Sequence, residues 1–153
     1  MLEVQPKDAR GFFILPQAPE EAGYYVYGTP GGGAAQYAHP SMMTLIFAVE
    51  RGWAAIHRRK FGIGNISIAG GAKFDHASHL TGLEVDIRPV RKDGRHVSVT
   101  YLDEAYDRDA TATLINIFRA NAPGKLKIFF NDNKIPVVFP LKKHDNHFHV
   151  EFI

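Results

Sequence analysis

Five of the eight histidines fall into two short-spaced groups. One is His76-x-x-His79, followed by Asp86. The other is His144-x-x-His147-x-His149, within a chain of 153 residues. Imidazoles and a carboxylate at such spacing are the donor set of a catalytic zinc site, in which three N/O side chains hold the ion and leave a position for water. The chain has no cysteine, so disulfides, thiolate ligands and a thiol nucleophile are excluded together.

The elements that must position these residues can be read from hydrophobic period. In 146–152 the polar residues His147, His149 and Glu151 alternate with Phe148, Val150 and Phe152. In 83–88, Glu84, Asp86 and Arg88 alternate with Leu83, Val85 and Ile87. A strand sends alternate residues to opposite faces, so each segment buries one face and presents the other. If the two strands lie side by side, Asp86 and His149 reach the same ion, and His79, at the mouth of the preceding loop, supplies a third ligand. His39, His57 and His96 fall outside the two groups and are assigned to structure or solvent.

The remaining segments predict an α+β domain over residues 1–153, with helices packed on a mostly antiparallel sheet and the zinc site on its polar face. Residues 11–15 and 24–27 read as strands. Gly28–Gln36 is a Gly-rich loop without the Gly-Lys-Ser/Thr ending of a phosphate-binding loop. Ser41 is the expected N-cap of a helix whose apolar stripe is Met42, Leu45, Ile46, Val49, Trp53 and Ile56, with Gly62 as its C-cap. Residues 65–69 and 83–89 read as strands, the latter continued as a hairpin into 96–100 through Lys92-Asp93-Gly94-Arg95. A second helix is expected over 108–122, stopped by Pro123-Gly124. A hairpin of 125–130 with 136–139 and a last strand over 147–153 complete the reading.

Composition is that of an ordinary globular protein, with 45% hydrophobic and 22% charged residues. A net charge of +2 gives no footprint for nucleic acid. No apolar run approaches membrane-spanning length, so no stable membrane insertion is expected. Lys7, Asp8 and Arg10 stand where a signal peptide would carry its apolar stretch.

The segment 74–87, Phe-Asp-His-Ala-Ser-His-Leu-Thr-Gly-Leu-Glu-Val-Asp-Ile, and the segment 144–150, His-Asp-Asn-His-Phe-His-Val, resemble the penicillin-insensitive murein endopeptidase family. That family is a branch of the zinc peptidases that include lysostaphin-type enzymes and D-Ala-D-Ala peptidases. The resemblance implies Zn2+ held by His79, Asp86 and His149, with His147 beside the metal as a catalytic residue. In the D-Ala-D-Ala branches a glutamate base stands three residues before the first histidine of the His-x-His pair. Here His144 takes that place, which agrees with the murein endopeptidase branch, as does His76. His144 is the expected proton shuttle, His147 the stabiliser of the tetrahedral intermediate, and His76 a support for the ligands. Glu84 and Glu151 share the site's faces and are either such supports or solvated carboxylates. Residues 1–60 carry no matching motif.

The expected function is hydrolysis of peptide cross-links in bacterial peptidoglycan, of the D-Ala–meso-diaminopimelate type, in the periplasm or cell wall. Delivery by a secretion system, phage lysis or excision from a longer precursor would each fit a sequence without a visible signal peptide. A secreted toxin domain would have a dedicated immunity or inhibitor protein. A phage endolysin, a D,D-carboxypeptidase of the same fold and a non-catalytic wall-binding module that retains its metal are the alternatives. A His-Asn-His nuclease is disfavoured, because that motif needs a following helix and six residues follow His147.

Overall fold

The computed structural model of the chain describes residues 6–17, 20–74 and 78–153. The alternating segments become paired strands. β5 (Glu84–Ile87) and β7 (Phe148–Phe152) run antiparallel, with Asp86 opposite His149 and Glu84 opposite Glu151. Val85, Ile87, Phe148 and Val150 point to the other face and are fully buried. β6 (Leu126–Phe129) pairs antiparallel with the far edge of β7. On the other side, β4 (Phe61–Ile63) pairs antiparallel with β5, and β2 (Tyr24–Val26) adds in parallel to β4. The order is β2-β4-β5-β7-β6. A separate two-stranded sheet joins β1 (Phe13–Ile14) to β3 (Tyr37–Ala38). The fold is therefore α+β and mostly antiparallel.

Two helices cover the apolar face. α1 (Pro40–Ala54) buries Met42, Leu45, Ile46, Val49 and Trp53, and α2 (Arg108–Asn121) buries Ala110, Thr111, Leu114, Ile115 and Phe118. They meet the sheet through edge-to-face rings: Phe118 against Phe61 and Phe148, and Phe148 against Phe130. Such aromatic contacts contribute about 0.5–1.5 kcal/mol each beyond burial. Asp107 caps α2 by accepting from the Ala110 N–H, and Arg59 holds the same carboxylate at 2.8 Å.

Several local expectations are corrected. His39, not Ser41, caps α1: its Nδ1 accepts from the Ser41 N–H. Pro40 has no N–H and fits the first helical position, which moves Ser41 inside. The helix stops at Ala54, so Ile56 is left 59% exposed. Gly62 is no cap but the middle of β4. Residues 65–69 are assigned to no strand. Residues 96–100 form no hairpin, because Arg91 closes that segment with its side chain, binding the Asp93 carboxylate and the Ser98 carbonyl. Residues 136–139 make only a parallel bridge between Phe139 and Phe129. Pro136 and Pro140 lack the donors that a longer ladder would need.

A buried acid ties α2 to the segment after β6. The Asp132 side chain is 2% exposed and accepts from Tyr106 Oη and Arg108 Nε, each at 2.7 Å. Burial alone would raise its pKa, but the Tyr106 and Arg108 hydrogen bonds outweigh it and leave the carboxyl below its ordinary value. A carboxylate so depressed stabilises the fold above its unfolded pKa of about 3.9, and that contribution fades as pH falls through the lower folded value. Asp132→Ala should cost about 2–4 kcal/mol at pH 7. Denaturant titrations of both proteins should show this gap narrowing below about pH 4. A gap independent of pH would contradict the account.

Candidate metal centre

His79, Asp86 and His149 each bring one ligand atom to within 4.8 Å of the others. His79 Nε2 lies 3.1 Å from Asp86 Oδ2, and His149 Nδ1 lies 3.0 Å from Asp86 Oδ1. Ligands at about 2.0–2.1 Å from a tetrahedral zinc stand ~3.3 Å apart, so these separations suit a shared ion. His79 and His149 are buried, and Asp86 is 15% exposed.

The proton positions make the case for a cation. His79 Nδ1 faces the Ile66 carbonyl at 3.1 Å. A carbonyl oxygen can only accept, so Nδ1 carries the hydrogen and neutral His79 presents a lone pair at Nε2. That lone pair meets a carboxylate oxygen, so two acceptors confront each other unless a proton or a metal lies between them. At His149 both nitrogens face acid: Nδ1 meets Asp86, and Nε2 lies 3.4 Å from both Glu84 Oε1 and Glu151 Oε2. Burial works against the imidazolium, yet Asp86 and Glu84 overcome it and push the pKa up to about 9. Asp86 is pulled the other way: despite burial, hydrogen bonds from His149 and His79 hold it far below the carboxylate range. Two imidazoles among three carboxylates are short of positive charge, which a divalent ion would supply. With a metal on Nδ1, the Nε2–H of His149 would donate to Glu84 or Glu151, the second-layer partner that metal-bound histidines usually have.

Backbone features aim these groups. The Gly64 N–H donates to the Asp86 carbonyl, while the Asp86 N–H donates to Asn65, so two residues of one segment face one of the other. This is a β-bulge, a device that re-aims side chains next to sites. His79 adopts a left-handed φ of 64°, a conformation histidine tolerates better than most residues. Its N–H donates to Glu84 Oε2 at 2.7 Å, which holds it there. Gly82, also left-handed, closes the loop: a Cβ there would stand 2.7 Å from the His39 backbone nitrogen. Arg10 reaches in from the amino-terminal segment, donating to the carbonyls of Leu80 and Ile68 and to Ser67 Oγ while paired with Asp8.

His144 and His147 stand beside the cluster, their ring centroids 4.6 Å apart. His144 Nδ1 donates to the Lys142 carbonyl at 3.0 Å, leaving Nε2 as an acceptor. His147 lies just outside β7 and sets its Nδ1 against Asn146 Oδ1 at 2.9 Å, with Nε2 3.7 Å from Asp86. Burial pushes the His147 pKa down, and Asp86 pulls it back only in part. Both rings therefore offer proton-accepting nitrogens. A cavity of about 270 Å3 is lined by His79, Asp86, His144, His147 and His149, with Lys142 and Lys143 at its wall. His76 lies outside the described residues. Glu84 and Glu151 both contact the site. Sequence reasoning missed Arg10 and the Ile66 carbonyl, which no spacing signals. Of the other three histidines, His39 caps α1, His57 stacks on Trp53 and His96 stacks on Tyr25.

No family model and no curated protein matches the chain. Among the described residues, no helix is long and apolar enough to cross a membrane.

A metal that binds only the folded protein stabilises it by about 2.7 kcal/mol at a hundred times its dissociation constant. Thermal unfolding with added zinc should therefore show a midpoint raised by several degrees, and His79→Ala or His149→Ala should remove the rise. An unshifted midpoint in the intact chain would refute the centre, as would a full shift in either variant.

Proposed function

We propose that the chain is a zinc-dependent peptidase that hydrolyses the peptide cross-links of bacterial peptidoglycan, of the D-Ala–meso-diaminopimelate type. The observation that carries this reading is the pairing of two features in one cavity: a cation-seeking His79–Asp86–His149 cluster and two histidines with accepting nitrogens beside it. An N,N,O donor set suits zinc. Bound there, zinc would supply Lewis acidity and lower the pKa of water to about 7.

The protein's own groups do the rest. His144 Nε2 takes the proton of the attacking water and returns it to the leaving amine. His147, once protonated, donates from Nε2 to the oxygen that gains charge as the amide carbonyl becomes tetrahedral. Glu84 and Glu151 orient His149, and the Ile66 carbonyl orients His79. The choice of peptidoglycan rests on the resemblance of 74–87 and 144–150 to murein endopeptidases and on histidine, not glutamate, at position 144. The site of action is then the periplasm or cell wall. A producer that exports the protein as a toxin would protect itself with an inhibitor protein.

Mass spectrometry of digested sacculi tests the reading. The zinc-loaded chain should convert cross-linked muropeptide dimers to monomers. A chelator should abolish this, and zinc should restore it. His144→Ala should slow it by about 10²–10⁴-fold without changing the unfolding midpoint by more than a few degrees. Undiminished cleavage after metal removal would sink the zinc assignment. Release of terminal D-alanine with dimers intact would reassign the enzyme as a carboxypeptidase, and sacculi left wholly unchanged would remove the peptidase reading.

A further inference from the structure

A second cavity, of about 200 Å3, adjoins the one at the metal cluster, and Asp86 and His147 line both. Its other lining includes Arg88, Tyr27, Asn65, Asn146 and Ser98. Arg88 follows Asp86 by two residues, and its N–H continues the strand ladder by donating to the Gly62 carbonyl. The two side chains therefore leave the same face of the sheet about 7 Å apart.

Arg88 differs from the comparable arginines. Among the described residues, five arginines are partly buried: Arg10, Arg59, Arg88, Arg91 and Arg108. Four of them hold an aspartate: Asp8, Asp107, Asp93 and Asp132 respectively. Arg88 pairs with no carboxylate among the described residues. Its guanidinium instead lies 4.0 Å from the centre of the Tyr27 ring and 6.0 Å from that of Tyr25. These rings form a built platform. Tyr25 and Tyr27 lie across Gly62 and Gly64 of the neighbouring chain segment, where a Cβ would stand 2.7 Å from Tyr25 Cζ and 2.5 Å from Tyr27 Cζ. Bare backbone lets the rings lie close against the chain, with the guanidinium nearest Tyr27. The Tyr27 hydroxyl is buried and has no hydrogen-bond partner among the described residues. A half-buried guanidinium that shares a hydrogen bond with Tyr25 but faces no carboxylate among the described residues is a receptor for a carboxylate, which it can grip with two parallel hydrogen bonds.

We infer that Arg88 is a specificity-determining residue that binds a free carboxylate on the carbon next to the leaving nitrogen of the substrate. This rests on the peptidase reading above, whose substrate carries such a group: the amine released from a D-Ala–meso-diaminopimelate bond sits on a carbon bearing a carboxylate. The cavity shares Asp86 and His147 with the one that holds the metal cluster, so a substrate group lying beside the cut bond can reach Arg88. Arg88 acts by selecting and placing the substrate, and it transfers no proton.

Two soluble peptides test this, each ending in D-alanyl-meso-diaminopimelate. One has the carboxylate next to the amide free, and the other has it as a carboxamide. Calorimetry reads their binding to the zinc-loaded full chain carrying His144→Ala, so affinity is measured whether or not the bond can be cut. His144 does not line the Arg88 cavity. The free carboxylate should bind at least about tenfold more tightly than the carboxamide, as a charged hydrogen bond requires. Adding Arg88→Gln should erase the preference, and Arg88→Lys, which keeps the charge but loses the fork, should keep part of it. Equal affinity for the two peptides would overturn the inference, as would a preference that survives Arg88→Gln or binding by neither peptide. Sacculi left undigested while the preference holds would refute the peptidase reading and leave the carboxylate site standing.

Discussion

The register between β5 and β7 is the constraint on which the site depends. Asp86 faces His149 across that pair, and Glu84 faces Glu151. A slip of one residue would turn every side chain to the opposite face, sending Asp86 and His149 into a core of Phe61, Phe118 and Phe148. What prevents the slip is on the other side of the sheet. Val85, Ile87, Phe148 and Val150 are fully buried against the helices and can sit nowhere else. The chemical face is thus aligned by the apolar face, and the helices that carry no site residue determine where the site residues stand.

Electrostatics then gives the aligned face its character. Three carboxylates converge on two imidazoles, and each imidazole presents a lone pair or a proton to an acid. A depressed Asp86 and a raised His149 are two views of the same demand for positive charge. The left-handed backbone at His79 fits the same picture: a turn costing about 1–2 kcal/mol is held by the Glu84 carboxylate, itself part of the cluster.

The parts legible in the sequence were those governed by local period. Alternation marked β5 and β7 because one face of each is apolar and the other polar. A 3.6-residue stripe marked α1, and the Pro123-Gly124 stop marked the end of α2. The donor set followed once the two strands were placed together. What stayed hidden depends on distant partners. Phe61-Gly62-Ile63 resembles the end of a helix, and becomes a strand through pairing with Tyr24–Val26, far earlier in the chain, whose Tyr25 ring covers Gly62. The segment 96–100 looks like a strand, but the Arg91 side chain decides its path. His39 looked incidental, yet a following proline makes it the cap. Nothing about Arg10 in sequence connects it with a loop some seventy residues away.

That last contact bears on what counts as the working unit of this protein. Arg10 grips Leu80, the neighbour of His79, as well as Ser67 and Ile68 from beneath the same loop. The amino-terminal segment, which carries no recognisable motif, is in effect a clasp closed around the ligand loop. A fragment could retain both histidine groups and every acid near them and still lack the fastening that keeps His79 in its strained turn. The motif is contiguous enough to be lifted out of the sequence, but the site it belongs to is not modular.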